Sequence, residues 1–188
     1  MIYKHMYCGY KNSGKVKIKK DDRIITASAA SFEDMTFLYF ETKDSELLPT
    51  DVAEGDFKLF PNGNEWFEMP EIFHYFTPEN DGEWQRKLEG KTPVFRINKL
   101  NMDKVASYIF YHVDHQRSNQ YECDKFFSIF NYGNVIIMYA EEPTELVTWQ
   151  DIKGRYHEPP RSDWGALMDQ HFKAWPDGKK KWVKMENE

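Results

Sequence analysis

Two stretches of this chain spell nearly the same pattern. FLYFETKDSELLPTDVAEG begins at Phe37, and IIMYAEEPTELVTWQDIKG begins at Ile136. Each is a short apolar run ending in Tyr, then an acidic step, a Glu-Leu pair with a further aliphatic residue, and a closing Gly. Self-similarity at a fixed spacing marks a duplicated structural unit. It constrains the fold more than local propensity does, because whatever one copy forms the other must form too. The downstream halves agree at a single spacing: Pro61 with Pro159, Trp66 with Trp164, Pro78 with Pro176, and Trp84 with Trp182. Trp occurs only 6 times in 188 residues, so two Trp coincidences carry weight. Upstream, Gly55 pairs with Gly154, Glu46 with Glu145 and Tyr39 with Tyr139, and IYKH from Ile2 resembles IFYH from Ile109. The expected copies are residues 1–90 and 105–188, packed as one compact domain, with 91–104 a linker or bridging strand.

Within the copies, DKFFSIF and VIIMYA flank NYGN, Asn131 to Asn134. Two apolar runs around a short Asn/Gly loop predict a hairpin, with RIITASA and TFLYF as its counterpart. Phe126, Phe127, Ile129 and Phe130 use both faces of such a strand, as do Ile136, Ile137 and Met138. A strand that is apolar on both faces is covered on both. Each sheet is therefore expected to be sandwiched, with helices on one side and the other copy on the other. SDWGALMDQHFKAW predicts a helix: Ser162 caps it, Trp164, Leu167, Met168, Phe172 and Trp175 recur at helical spacing, and Pro176 ends it. Its counterpart, NEWFEMPEIFHYF, contains Pro70, so that helix should start near the proline and be shorter.

DKVASYIFYHVDHQ points two ways. Asp103 suits a helix cap, but the aromatic and β-branched run Tyr108 to Val113 prefers a strand, and the repeat also favours a strand. The expected class is thus α+β, a duplicated strand-hairpin-helix unit forming two pseudo-twofold-related antiparallel sheets with helices packed on them. The alternative makes PVFRI a strand and DKVASYIFYHVDHQ a helix. The second half then reads β-α-β-β-α-β, a ferredoxin-like unit.

Charge narrows the function classes. Lys and Arg number 25 against 31 Asp and Glu, for a net charge of -6. Phosphate contact needs a dense cationic surface, so neither nucleic acid nor an anionic membrane is an expected partner. KVKIKK, Lys15 to Lys20, reads as a surface strand with Lys15, Lys17 and Lys19 solvated and Val16 and Ile18 facing inward. Cys8 and Cys123 form neither a C-x-x-C pair nor a disulfide framework, which fits a reducing compartment. The N-terminal segment lacks the apolar core of a signal peptide, and the longest apolar run, VIIMYA, is too short to span a bilayer. A cytoplasmic location is expected.

Nucleotide, dinucleotide, serine-hydrolase and zinc-protease motifs do not occur, so no cofactor is expected. The dense chemical cluster is YHVDHQ, Tyr111 to Gln116. On a strand, His112 and Asp114 would share a face, with His115 opposite. On a helix, His112 and His115 would share one, as an i, i+3 pair. Either geometry offers two groups for acid-base work and needs a third. Glu141, with Glu41 at the matching place in the other copy, sits where the strand was expected to end and could act on a sugar or other polyol. The lone histidines His157 and His171 are read as structural, and Trp66, Trp84, Trp164 and Trp182 as packing anchors.

Aromatic residues make up 16% of the chain, enough to line a pocket. The function expected from these features is a non-catalytic binding module with an aromatic-lined cleft between its two halves, for a small molecule or a protein, or a seam between copies of the chain. The alternative is an isomerase or hydrolase using His112, Asp114 and His115, helped by Glu141.

Overall fold

The computed structural model describes residues 2–43, 47–74, 90–118, 127–143 and 163–188. Cys123, Trp84, Pro78, His157, Pro159, Gly154 and Ser162, and the Glu46–Glu145 pair, lie outside the described residues. The chain divides into two compact units, Met1–Pro70 with Met185–Glu188, and Glu71–Lys184.

The first unit is built on one six-stranded sheet. Its strands are β1 (Tyr3–Ile18), β2 (Ile24–Phe32), β3 (Met35–Thr42), β4 (Ala53–Lys58), β5 (Phe67–Glu68) and β11 (Glu186–Asn187), with a four-residue helix, α1 (Pro49–Val52), before β4. The order is β11-β2-β3-β1-β4, and β5 pairs with β1. All the pairings are antiparallel. Strand β1 is long because it serves two neighbours: Tyr3 to Tyr10 pair with β3, and Tyr10 to Ile18 pair with β4 across two register shifts. Its KVKIKK segment has Val16 buried and Lys15 and Lys17 exposed. Val16, Leu38, Phe40, Val52, Phe57 and Trp66 belong to one apolar cluster.

The second unit holds a five-stranded antiparallel sheet, β6 (Glu71–His74), β7 (Thr92–Lys99), β8 (Phe127–Tyr132), β9 (Val135–Glu142) and β10 (Val183–Lys184), in the order β10-β7-β9-β8-β6. A 3-10 turn at Met102–Lys104 leads into α2 (Val105–Ser118), and α3 (Trp164–Asp169) lies between β9 and β10. From β7 to β10, the strands and α-helices described therefore run β-α-β-β-α-β. Tyr108 from α2 and Met168 from α3 join Phe73, Ile129 and Ile136 of the sheet in one core cluster.

Three local expectations change. The segment from Val105 to Ser118 is a helix, not a strand. Helical spacing gathers Val105, Tyr108, Ile109 and His112 against the sheet, and that burial overrides the strand preference of Tyr108 to Val113. IYKH lies in a strand and IFYH in a helix, so this part of the sequence match joins unlike structures. The segment read as a linker or bridging strand supplies β7, which lies between β10 and β9 in the second sheet. The helix expected from Pro70 is instead strand β6 as far as His74, where Glu71, Phe73 and His74 pair with β8. The helix expected over SDWGALMDQHFKAW stops at Asp169. Beyond it the backbone is captured by its neighbours: Leu100 bridges Phe172, Asn101 N–H donates to His171 O, and Lys173 N–H donates to Lys99 O.

Both hairpins form where the apolar runs meet. Phe32 pairs with Met35 and Tyr132 with Val135, leaving two-residue turns. The first turn residue has positive φ in both, 55° at Glu33 and 56° at Gly133. A residue with a Cβ pays about 1–2 kcal/mol there, which glycine avoids. Glu33→Gly should therefore raise unfolding stability, by up to about 1 kcal/mol once the added flexibility of the unfolded chain is counted, and Gly133→Ala should lower it by about 1 kcal/mol. Urea denaturation of the two variants checks both signs.

Candidate functional site

A cavity of about 260 Å³ lies within the second unit, between the sheet and the two helices. Its walls include Phe73 from β6, Tyr108, His112 and His115 from α2, Phe127 from β8 and Trp164 from α3. Ile129, Met138 and Met168 add aliphatic and thioether surface. Phe73, Tyr108, His112, Ile129 and Met168 are buried, while His115, Phe127, Met138, Trp164, Phe172 and Trp182 are half-buried and Gly165 is exposed. Among the described residues, none that lines it is Asp, Glu, Lys or Arg.

The helix sets the geometry of the histidine pair. Positions i and i+3 share a helix face, so His112 and His115 both reach the cavity while Asp114, between them, is exposed. His115 stacks nearly parallel on Phe73, with ring centroids 5.6 Å apart, and lies 4.8 Å from Trp164. His112 meets the same two rings edge-on, at 5.6 Å and 5.2 Å, and packs 4.1 Å from Tyr108. Gln116 anchors the end of this helix face to the sheet by accepting from His74 N–H at 2.7 Å.

The protonation of His112 follows from its contacts. Nδ1 lies 2.9 Å from the Tyr108 carbonyl oxygen, which can only accept, so Nδ1 carries the proton. In the neutral ring, Nε2 then holds a lone pair. Burial lowers the pKa of His112 to about 4, helped by the nearby His115 and His171, although the Tyr108 bond opposes the shift. Burial also lowers that of His115, while Asp114 raises it. Both nitrogens of His171 are engaged: Nδ1 donates to Leu167 O at 2.8 Å, and Nε2 faces the Ser107 hydroxyl at 3.0 Å.

Glu141 does not join the histidines. Strand β9 continues to Glu142, past the point where the sequence suggested an end, so Glu141 is a buried strand residue. Side chains alternate along a strand. Met138 faces the cavity, which puts Tyr139 and Glu141 on the opposite face of the sheet. There Tyr139 Oη donates to Glu141 Oε1 at 3.0 Å. The first unit repeats the arrangement, with the Tyr39 hydroxyl donating to buried Glu41. Next along the strand, Glu142 is held below the usual carboxylate range, chiefly by the hydrogen bond from Arg96, 2.5 Å away. Of the four proposed catalytic residues, the structure brings only His112 and His115 together. Among the described residues, no three His, Cys, Asp or Glu side chains gather closely enough to hold a metal ion. No helix among them is long and apolar enough to cross a membrane.

The sequence reading missed Phe73, Tyr108 and Phe127 as cavity residues and took Trp164 for a packing anchor. The helical alternative for residues 103–116 held the signal, since it aligns Tyr108, His112 and His115 on one stripe. A second depression of about 440 Å³ in the first unit is lined by Tyr7, Leu48, Pro49, Leu59 and Trp66, among others. Its rim leucines, Leu48 and Leu59, are 59% and 66% exposed, so it is a surface groove and not a core cavity.

The shifted histidine has a consequence for acid stability. His112 has a folded pKa of about 4, below its ordinary 6.5. Between those values the unfolded chain takes up a proton that the native state does not. Stability should thus rise with pH through this window and be lost as pH falls, by up to about 3 kcal/mol. In urea denaturation at about pH 7 and pH 4.5, the intact protein should lose more stability than His112→Phe, by about 2 kcal/mol. Parallel losses would contradict the assignment.

Comparison with protein-family models, curated proteins and solved structures finds no match to this chain.

Proposed function

We propose that this chain is a binding module for a small neutral molecule, held in the aromatic cavity of the second unit. The observation that carries the reading is an aromatic-walled cavity of about 260 Å³, floored by buried residues, with no formally charged side chain among the described residues that line it. A dry apolar cavity of about 150 Å³ already holds a benzene-sized guest, so this one has room for a larger ring system. Small-molecule sites are mostly apolar, with a few placed polar groups, and here the histidines are those groups. A charged guest would lose its hydration and find no countercharge among the walls. Binding is favoured over isomerase or hydrolase chemistry because neither Asp114 nor Glu141 lines the cavity, and a histidine with a pKa near 4 is a weak base at neutral pH.

We also read the two units as versions of one duplicated plan. Three observations support this. The sheet orders β2-β3-β1-β4 and β8-β9-β7-β10 place a hairpin, the strand before it and the strand after it in the same succession. Each hairpin carries a buried Tyr-x-Glu hydrogen bond on its second strand. Trp66 and Trp164, matched in sequence, each line a cavity or groove of their own unit. On this reading the second unit is a ferredoxin-like unit with β6 added at its edge, and the first unit lacks a counterpart of α2.

Toluene and benzoate share a ring and differ in charge, so they test the binding reading. A ligand that binds only the native state raises the thermal midpoint by mass action. Toluene should raise it saturably and benzoate should not. Met138→Trp, which narrows the cavity, should remove the toluene effect. No shift with toluene up to its solubility limit, or a shift that survives Met138→Trp, would contradict the proposal.

A further inference from the structure

We infer that the cavity selects a neutral aromatic molecule that donates one hydrogen bond, from a ring N–H or a hydroxyl, to Nε2 of His112. This rests on the cavity being a binding site, as proposed above, and adds the chemistry of the guest. His112 and Tyr108 are the polar side chains buried in the wall, 4% and 1% exposed, and Nδ1 of His112 is committed to its own helix at Tyr108 O. The opposite ring nitrogen, Nε2, has no hydrogen-bond partner among the described residues. His171 marks the contrast, because its second nitrogen meets the Ser107 hydroxyl. Nε2 is not sealed in the wall: it keeps accessible surface, where a guest that supplies a donor gains the net worth of one hydrogen bond.

The direction of this acceptor is fixed. The His112 ring is packed against Tyr108, Trp164 and Phe73, and the Nδ1 bond prevents it from turning over. The surrounding rings favour a flat guest that can lie against their faces or edges. A cationic guest would need a carboxylate, and the described residues of the lining supply none. An anionic guest would need a protonated imidazole, and burial keeps His112 neutral at neutral pH.

Indole and benzofuran have the same shape, and only indole has an N–H. Titration calorimetry should find indole bound about tenfold more tightly than benzofuran, the worth of one net hydrogen bond. His112→Phe should remove the difference, so that indole and benzofuran bind alike. The Nε2 resonance of His112 in the intact protein should move with indole and stay in place with benzofuran. It decides the matter if His112→Phe does not fold. Equal binding of the two compounds by the intact protein, with no preferential movement of Nε2, would overturn the donor inference and leave the cavity reading standing. Binding of neither would overturn both.

Discussion

Strands β3 and β9 have to be kept dry on both faces at once. Every residue of β3 is buried, and in β9 only Met138 and Glu142 fall short of full burial. Such a strand cannot sit at the edge of a sheet, and each has a partner on either side, β2 and β1 for β3, β8 and β7 for β9. It also cannot carry a bare polar group. The glutamate each contains is tied to the tyrosine two residues earlier, which the alternation of the strand places on the same face. Removing the hydroxyl would take one hydrogen bond from a buried carboxylate, which costs more than the modest net worth of a bond at the surface.

In the second unit, the face of β9 that carries Ile136 and Met138 is covered by α2 and α3. Helix α2 supplies fourteen residues of cover, but α3 supplies only six before the backbone is drawn into bridges with the segment around Leu100. Over the described residues this face is roofed by one full helix and one short one, and the space between them falls short of ordinary interior packing. The cavity is the space that remains, and rings projecting from all three elements surround it. On the proposed binding reading, function follows from this incomplete packing, with His112 as a polar group in the cavity wall.

Much of the strand framework was legible from the residues. NYGN between two apolar runs marked one hairpin, and apolar residues on both faces of VIIMYA announced a strand covered on both sides. The site was less legible, for three physical reasons. The tract from Tyr108 to Val113 has strand-preferring side chains, and only tertiary burial makes it a helix, so the shared face of His112 and His115 stayed one of two options. Glu141 looked like a solvated strand exit because an acidic pair normally marks one. Its burial depends on Tyr139, which reads as one more apolar residue in sequence. Phe73 was assigned to a helix because Pro70 suits a helix start, whereas it equally suits the residue just before a short strand.

The most direct test of the central claim is a crystal structure of the full chain under xenon pressure. Xenon enters apolar cavities that stay dry and ignores filled or hydrated ones. The account predicts a xenon site between α2, α3 and the sheet, beside Phe73, His112 and Trp164. A space closed by side chains, or occupied by ordered water that xenon does not displace, would contradict it.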